Sequence, residues 1–376
     1  PRRAMKIGVP KETAEGERRV ALIPDVVKSL KKNEKVDVVV ESGAGEAAGH
    51  TDAAYQEAGA TVGAADAAWG ADIVLHVAVP SAEEIGRLRS GQVFISHLNP
   101  WLAAETNRAL AAAGVTAFAM EAIPRTTRAQ AMDALSSQAA AAGYAATLIG
   151  ARESGRFFGM MTTAAGTVPP AKVLVLGAGV AGLQAVATAK RLGAIVTGFD
   201  IRRAAWEQIA SLGGRPLELD FIPDAEGEGG YARPLTDEEN AKVVEAIGEN
   251  VARQDVVITT AAIPGRPAPR LITADAVRTM QPGSVIVDLA AESGGNCELT
   301  TAGETIVDGG VKIVGARNLP AEMPVPASQL YAKNLENLLG LLVGENGALS
   351  VDFEDDIVAA ACITHGGEIR NERAAK

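Results

Sequence analysis

The chain has 376 residues, of which 47% are hydrophobic, and a formal net charge of −11. This length is typical of two domains, and the apolar content is sufficient for two buried cores. A chain this acidic, with only 4% aromatic residues, lacks the charge and the stacking surfaces that nucleic acids require, so we expect no nucleic-acid partner.

The two cysteines, Cys297 and Cys362, form no metal-ligand or C-x-x-C pattern, which favours a reducing compartment and predicts no metal site. No signal peptide is recognisable in residues 1–11. The longest stretch of small apolar residues, 139–151, is interrupted by glycine and tyrosine and is shorter than the ~20 residues of a membrane-spanning helix. We therefore expect a soluble cytoplasmic protein without direct membrane insertion.

The first 120 or so residues alternate between predicted strands and predicted helices. Apolar runs predict strands at residues 5–9, 36–40, 72–77, 93–96 and 115–118. Helices are predicted between them, at residues 25–32, 52–58 and 102–113. This alternation is typical of a parallel sheet with helices on both faces. The glycine-containing turn at residues 41–45 is too short for a dinucleotide fingerprint, so this Rossmann-like domain is predicted to lack a phosphate-binding loop.

Residues 120–155 begin polar and become alanine-rich. We predict one long helix that links the two domains, begins after Arg125 and runs to about Gly155. Residues 163–170 contain a glycine and two prolines, which indicates a loop or a hairpin.

A glycine-rich turn between two predicted strands, 173–176 and 194–199, is the most informative pattern in the chain. Gly177, Gly179 and Gly182 follow the first strand at G-x-G-x-x-G spacing, and an alanine-rich helical stretch comes next. In a dinucleotide-binding unit the first glycine makes the tight turn and the second lets the backbone approach the pyrophosphate. The third glycine lets the helix pack closely on the strand.

The helix start and the end of the second strand complete this predicted site. Unpaired N–H groups and the helix dipole at Val180 and Ala181 would hold the phosphate charge. Asp200 follows the second strand, where a carboxylate would accept both ribose hydroxyls of an adenosine. Asp200 favours NAD(H) over NADP(H), because its carboxylate would repel a 2′-phosphate. Arg202 and Arg203 point the other way, because an arginine just after the strand can bind such a phosphate. The alternative is a glycine turn kept only for packing.

The rest of the second half continues the strand and helix alternation. Strands are predicted at residues 255–260, 284–289 and 311–314, and an apolar helix at 328–343 is expected to return to the first domain. The tail from Glu345 is expected to supply a closing hairpin.

Two loops flank the predicted site. Residues 225–235 are rich in glycine and acids, which predicts a mobile surface loop with Tyr231 at its tip, either as a lid or as a plain exposed tyrosine. Thr260 and Ala261 end a strand at the edge where such sheets bind ligands. The proline-rich residues 263–269 are interpreted as a rigid turn, a wall of the adenine and ribose pocket, or both.

Five stretches spread along the chain share the pattern of one superfamily. They are residues 8–12, 17–22, the glycine turn, 263–269 and 280–290. Together they resemble the alanine dehydrogenase and nicotinamide nucleotide transhydrogenase superfamily over nearly the whole chain. The resemblance implies a fold of two Rossmann-like α/β domains with parallel sheets flanked by helices and a cleft between them. We expect residues 1–136 plus 325–376 in the N-terminal domain and residues 137–324 in the NAD(H)-binding domain.

Two features distinguish the branches of this superfamily. Residues 124–138 and the loop Gly229-Gly230-Tyr231-Ala232 resemble hallmarks of the NAD(H)-binding component of proton-translocating transhydrogenase. Alanine dehydrogenases carry a substrate-binding lysine in a segment that here reads Leu-His-Val-Ala-Val-Pro at residues 75–80 and contains no lysine. They also have an aspartate where this chain has Glu292. The resemblance is therefore to the transhydrogenase component. Because the sequence stops before any membrane span, we expect the separate-subunit form. An alanine dehydrogenase-like amino acid dehydrogenase and a non-catalytic NAD(H) sensor are the alternatives.

The transhydrogenase resemblance implies direct hydride transfer from NADH bound here to NADP⁺ on an NADP(H)-binding partner component. Membrane-spanning subunits would couple this transfer to proton translocation, and the chain would be peripheral to the inner membrane through them. Hydride transfer between two nicotinamide rings needs positioning and no general acid or base. The resemblance further implies a homodimer and closure of the Tyr231 loop over bound nucleotide.

The resemblance also implies which residues act at the site. Arg125, Gln130, Asp133 and Ser136 would orient the nicotinamide and its ribose and form the catalytic set. The implied NAD(H)-binding residues are Arg125, Gln130, Asp133, Ser136, Ser137, Gly177, Gly179, Val180, Ala181, Gly182, Asp200, Ile201, Arg202, Gly230, Tyr231, Thr260, Ala261 and Ala262.

Several of these assignments have a structural alternative. Gln130, Asp133 and Ser137 have i, i+3 and i+7 spacing, so a helix would place them on one face, with Arg125 held by Asp133. The alternative is an ordinary helix N-terminus with a structural ion pair.

His97 follows a strand where a dehydrogenase could place a proton-handling group, but a structural role is favoured. Arg19 matches a substrate-binding arginine of alanine dehydrogenases or is a salt-bridged remnant of one.

Overall fold

The computed structural model describes residues 4–227, 230–263 and 265–376. The chain divides into two compact units. The first comprises Pro1–Gln138 together with Pro320–Lys376, and the second comprises Ala139–Leu319. Gly229 of the predicted loop and Pro264 of the predicted proline-rich turn lie outside the described residues.

The strands are numbered in chain order through both units. They are β1 (Met5–Val9), β2 (Val36–Glu41), β3 (Thr61–Gly63), β4 (Ile73–Leu75), β5 (Val93–Ser96), β6 (Thr116–Ala119), β7 (Met161–Thr163), β8 (Gly166–Val168), β9 (Lys172–Leu176), β10 (Ile195–Phe199), β11 (Arg215–Pro216), β12 (Val256–Thr259), β13 (Val285–Asp288), β14 (Thr305–Asp308), β15 (Val311–Gly315), β16 (Cys362–His365) and β17 (Glu368–Ile369).

The α-helices follow the same convention. They are α1 (Pro24–Leu30), α2 (Asp52–Glu57), α3 (Ala65–Trp69), α4 (Ala82–Gly86), α5 (Ala104–Ala112), α6 (Ala134–Ser154), α7 (Val180–Arg191), α8 (Ala204–Ser211), α9 (Asp237–Val251), α10 (Ala274–Thr279), α11 (Pro324–Leu342), α12 (Asp356–Ala361) and α13 (Glu372–Ala375). Within the described residues, every helix falls short of the combination of length and apolarity that crossing a bilayer demands.

The first unit is built on an eight-stranded sheet in the order β17-β16-β6-β5-β4-β1-β2-β3. Strands β1 to β6 are parallel and adopt the doubly wound order 3-2-1-4-5-6. The residues of β1, β2, β4, β5 and β6 are largely buried, as expected for strands covered on both faces. The tail adds β16 and β17 as an antiparallel hairpin at the β6 edge, which confirms the predicted closing hairpin.

Helix α11 supplies a large part of the first core. Its buried residues include Tyr331, Leu335, Leu338, Leu339 and Leu342, whose spacing is that of one helical face. They lie in the same apolar cluster as residues of the first two strands. The helix begins earlier than the sequence pattern suggested, because prolines at its first turn fit the helix start without losing a hydrogen bond.

The second unit repeats the same architecture. Its seven-stranded sheet has the order β11-β10-β9-β12-β13-β15-β14, and only β14 pairs antiparallel. Counted along the chain, the parallel strands again follow the order 3-2-1-4-5-6. Strands β7 and β8 pair separately as an antiparallel hairpin. The predicted α/β class with two Rossmann-like sheets is confirmed.

The predicted linking helix begins later than the sequence indicated. Two 3₁₀ turns, Met120–Ala122 and Thr127–Met132, precede α6. Asp133 leaves the helical region (ψ 88°), and its carboxylate accepts hydrogen bonds from the Ser136 N–H (3.0 Å) and hydroxyl (2.6 Å). A carboxylate in this position satisfies an N–H that has no partner in the helix, so Asp133 starts α6. Gln130, Asp133 and Ser137 therefore do not share a helical face.

Candidate dinucleotide site

The three glycines after β9 have three different geometries. Gly177 has φ +94°, a left-handed conformation, and a Cβ there would lie 2.8 Å from Thr260 Oγ1. A Cβ on Gly182 would lie 1.7 Å from the carbonyl oxygen of Gly177, so α7 packs directly on the turn. A Cβ on Gly179 would meet no described atom within 4 Å. The turn, the open side and the packing contact are the arrangement that the G-x-G-x-x-G pattern predicts.

Helix α7 begins at this open side. Its N-cap residue, Gly179, has no side chain with which to cap the first N–H groups. Val180 and Ala181 thus form a helix N-terminus where backbone donors and the helix dipole favour an anion.

The end of β12 forms the neighbouring wall. The Thr260 hydroxyl donates to the Gly177 carbonyl at 2.9 Å. The next residue, Ala261, is held at both its backbone groups by the buried Asn296 side chain. That amide accepts from the Ala261 N–H at 3.0 Å and donates to the Ala261 and Pro269 carbonyls, each at 2.8 Å. Sequence reasoning missed Asn296, although a polar residue directly after two glycines was a signal of a special backbone contact.

Asp288, at the end of β13, fixes the segment that carries this asparagine. Its fully buried carboxylate accepts four hydrogen bonds. The donors are the Thr259 and Thr300 hydroxyls, at 2.9 and 2.6 Å, and the Ala290 and Cys297 N–H groups, at 3.0 and 3.1 Å. Burial raises the pKa of the Cys297 thiol to about 11, which keeps it protonated and unreactive at neutral pH.

Asp200 lies where the sequence predicts it, directly after β10, but its carboxylate is not vacant. The side chain of Arg202 donates to it through Nε at 2.9 Å and Nη2 at 2.8 Å. The N–H groups of Ala178 and Arg202 donate to it at 2.9 and 2.8 Å. Only 8% of the residue is exposed.

The loop over residues 225–235 has two arms joined by backbone hydrogen bonds. The Gly227 N–H donates to the Tyr231 carbonyl at 2.7 Å, and the Arg233 N–H donates to the Ala225 carbonyl at 2.8 Å. Arg233 forms a two-point ion pair with Glu239 of α9, with both contacts at 3.0 Å. Tyr231 therefore directly precedes Ala232, which pairs with Glu226 across the loop.

The residues predicted to face the nicotinamide belong to the first unit. Arg125 and Gln130 are exposed, and the Asp133–Ser136 pair caps α6 just after them. The Ser137 hydroxyl donates to Asn334 of α11 at 2.7 Å, so it contributes to packing of this unit.

Arg19 and His97 are both engaged inside the first unit. The Arg19 guanidinium contacts both carboxylate oxygens of Glu17 at 2.8 Å and donates to Gln138 at 2.8 Å. His97 stacks on Tyr331 with ring centroids 5.0 Å apart, and its Nδ1 lies 2.9 Å from the Val77 carbonyl. Burial lowers the pKa of His97, which favours the neutral ring and fits the structural role that the sequence favoured.

In the first unit the switch point between β1 and β4 holds a buried charge cluster. Glu12, which follows β1, accepts hydrogen bonds from the Val77 and Ala78 N–H groups. Its other oxygen lies 2.7 Å from Nε2 of His76, at an angle that makes the contact an ion pair more than an aligned hydrogen bond. Glu84 lies 3.5 Å from the same nitrogen. Burial opposes the charge of His76, but the two carboxylates outweigh it and raise its pKa to about 10.

The fold and the glycine turn together define a class: an α/β protein of two doubly wound units, the second with a dinucleotide-binding turn. The family model described as "Alanine dehydrogenase/PNT, N-terminal domain" matches residues 8–142. The model described as "Alanine dehydrogenase/PNT, C-terminal domain" matches residues 146–372. The chain belongs to the alanine dehydrogenase/PNT family.

Within this family the similarity differs between the two named branches. The chain is 48% identical to the Rhodospirillum rubrum protein named as the first part of NAD(P) transhydrogenase subunit alpha, over 97% of each chain. It is 33% identical to an alanine dehydrogenase of Mycobacterium tuberculosis, over 99% of this chain and 96% of that one. Among solved structures, transhydrogenase from Sinorhizobium meliloti matches with a TM-score of 0.89 and 48% identity, covering 97% of this chain and 99% of that chain.

The glycine geometry predicts opposite outcomes for two alanine substitutions. Gly182→Ala places a Cβ against the Gly177 carbonyl and should lower the free energy of unfolding by about 3 kcal/mol. The added methyl group of Gly179→Ala meets open space, so this variant should keep its stability. Because the methyl group would stand where the pyrophosphate approaches the backbone, NADH binding should weaken by about tenfold, or ~1.4 kcal/mol. Chemical denaturation and NADH fluorescence titration measure the two effects. Unchanged stability of Gly182→Ala would contradict the packing role.

Proposed function

We propose that this protein is the NAD(H)-binding subunit of a proton-translocating NAD(P) transhydrogenase. In this function NADH bound to the second unit gives its hydride directly to NADP⁺ on a partner component, and membrane subunits couple the transfer to proton movement. The observation that carries the proposal is the end-to-end similarity, at 48% identity, to a protein named as the first part of NAD(P) transhydrogenase subunit alpha.

The geometry of the second unit supports NAD(H) as the nucleotide. Open space beside Gly179 and the uncapped start of α7 suit a pyrophosphate. Asp200 suits an adenosine ribose without a 2′-phosphate. Thr260 and Ala261, fixed by Asn296, would form the wall beside the glycine turn. When bound, the nicotinamide ring supplies the hydride chemistry, and the protein supplies orientation.

For the nicotinamide end we propose a role for the segment before α6. Gln130 would hydrogen-bond the nicotinamide group, and Arg125 would contact the nucleotide near it. Both residues are exposed, so a ligand can reach them without opening the core. The Asp133–Ser136 cap holds the backbone at the end of this segment and would limit its movement.

An amino acid dehydrogenase is the less supported function. Residues 75–80 contain no lysine that could hold a substrate carbonyl, and the only ionisable side chain among them, His76, is buried. His76 is paired with Glu12. The Arg19 guanidinium is engaged by Glu17 and Gln138, so a substrate carboxylate would have to compete with an internal one.

A homodimer is part of the proposal, and the β7–β8 hairpin supports it. Every residue of both strands is exposed. The exposed side chains of Met161 (40%) and Val168 (47%) pair across the hairpin, and Phe157 (52%) and Met160 (67%) precede it. Apolar side chains clustered at the surface in this way are typical of a protein interface.

Reconstitution tests the function directly. The purified protein mixed with an NADP(H)-binding transhydrogenase component should catalyse reduction of an NAD⁺ analogue by NADPH, followed by absorbance. The protein alone should not oxidise NADH in the presence of pyruvate and ammonia. Turnover of the keto acid by the isolated chain, or NADH binding without hydride exchange in the mixture, would refute the proposal.

Shortening one side chain tests the nicotinamide assignment. Gln130→Asn should still bind NADH, because the adenosine end is untouched, while hydride transfer in the reconstituted system slows by roughly 100-fold, as expected for an Å-scale misplacement. Stopped-flow measurement of the transfer step gives the rate. Gln56→Asn, at an exposed position in α2 of the same unit, is the matched control and should transfer hydride normally. Unchanged transfer in Gln130→Asn would remove this residue from the site.

Charges on the hairpin test the homodimer. The double variant Met161→Asp/Val168→Asp should sediment as a monomer, because burying two carboxylates in an apolar interface is costly. Val307→Asp adds charge at an exposed residue of β14 and should leave the dimer intact. Sedimentation velocity distinguishes the species. A double variant that remains dimeric would exclude the hairpin from the interface.

A further inference from the structure

The carboxylate of Asp200 has all of its acceptor positions filled. An ionised carboxylate offers about four lone-pair positions. Two are taken by backbone N–H groups, of Ala178 at 2.9 Å and of Arg202 at 2.8 Å. The other two are taken by the Arg202 side chain, through Nε at 2.9 Å and Nη2 at 2.8 Å.

The two kinds of donor differ in how easily they can leave. The backbone donors belong to the glycine turn and to the end of β10, so the fold fixes them. The guanidinium is on a flexible side chain that is 19% exposed and can swing into solvent. An adenosine ribose carries two vicinal hydroxyls, and it needs the same number of acceptor positions that the guanidinium now uses.

We propose that the Arg202 side chain occupies, in the nucleotide-free protein, the two positions on Asp200 that an adenosine ribose takes, so that nucleotide binds by exchange with the guanidinium. The inference rests on the proposed NAD(H) function and deepens it. It makes Arg202 a residue that competes with the nucleotide and sets its affinity. The sequence-based alternative, in which Arg202 binds the nucleotide itself, predicts the opposite effect of removing it.

The same guanidinium also holds the loop over residues 225–235. Its Nη1 donates to the Gly230 carbonyl at 2.5 Å, and its Nη2 lies 3.3 Å from the Ala178 carbonyl. Arg202 cannot leave Asp200 without also giving up these contacts, since all of them are made by one rigid planar group. The exchange therefore frees the Gly230 carbonyl of the loop when the ribose arrives, while the Arg233–Glu239 pair remains.

Arg203 provides a natural comparison. Its N–H donates to Asp224 at 3.1 Å, and its guanidinium lies over the ring of Trp206, 5.7 Å from the centroid. Its side chain makes none of the described contacts to Asp200 or Gly230. Removing it changes the net charge by the same amount as removing Arg202, one residue away.

The experiment compares the unaltered protein with Arg202→Ala, Arg202→Gln and Arg203→Ala. We expect Arg202→Ala and Arg202→Gln to bind NADH about tenfold more tightly, because the nucleotide no longer displaces a charge-assisted pair. Reduced nicotinamide mononucleotide, which has no adenosine ribose, should bind all four proteins equally. Arg203→Ala should match the unaltered protein with both probes.

Hydrogen exchange supplies a second measurement in the absence of nucleotide. The amides of Gly227 and Arg233 should exchange several-fold faster in both Arg202 variants and normally in Arg203→Ala, since only the former lose the contact to the loop. Equal or weaker NADH binding by a folded Arg202 variant would overturn the inference, as would unchanged loop exchange. Failure of the unaltered protein to bind NADH would instead overturn the proposed function.

Discussion

The second unit depends on how closely the start of α7 approaches the turn after β9. The Gly182 backbone lies so near the Gly177 carbonyl that a single methyl group would not fit between them. This contact aims the helix N-terminus at the open side of Gly179 and brings the Thr260 hydroxyl to the turn. Asn296 and Asp288 then fix the remaining wall from within the core. The anion-binding geometry thus follows from one packing constraint.

The two units show how one strand order can serve different purposes. In both, the switch point of the sheet lies beside the first strand, where doubly wound folds bind ligands. In the second unit it is open and lined by glycine. In the first it holds Glu12, His76 and Glu84 in a buried charge cluster. Because removal of one partner leaves a buried charge uncompensated, loss of any member of this cluster would destabilise the end of the sheet.

Much of the fold could be read from the sequence because its signals are local. The apolar runs of the parallel strands are nearly continuous, and β1, β5 and the glycine turn lie where the pattern indicates. The prediction placed the start of α6 too early. The helix begins after Asp133, whose short polar side chain accepts a hydrogen bond from a free N–H of the first turn. The prediction did not include the pairing between the two arms of the 225–235 loop, because backbone pairing of this kind has no local signature.

The sequence by itself determined the class of sheet, the position of the dinucleotide turn and the acid that follows it. Glycine spacing and strand periodicity are properties of neighbouring residues, so they can be recognised without coordinates. Only the tertiary structure decided which groups those residues meet. Asn296 reaches Ala261 across 35 positions of the chain, and Asp200 meets an arginine where a ribose was expected. Such contacts depend on the path of the whole chain, which brings distant backbone and side-chain groups within hydrogen-bonding distance.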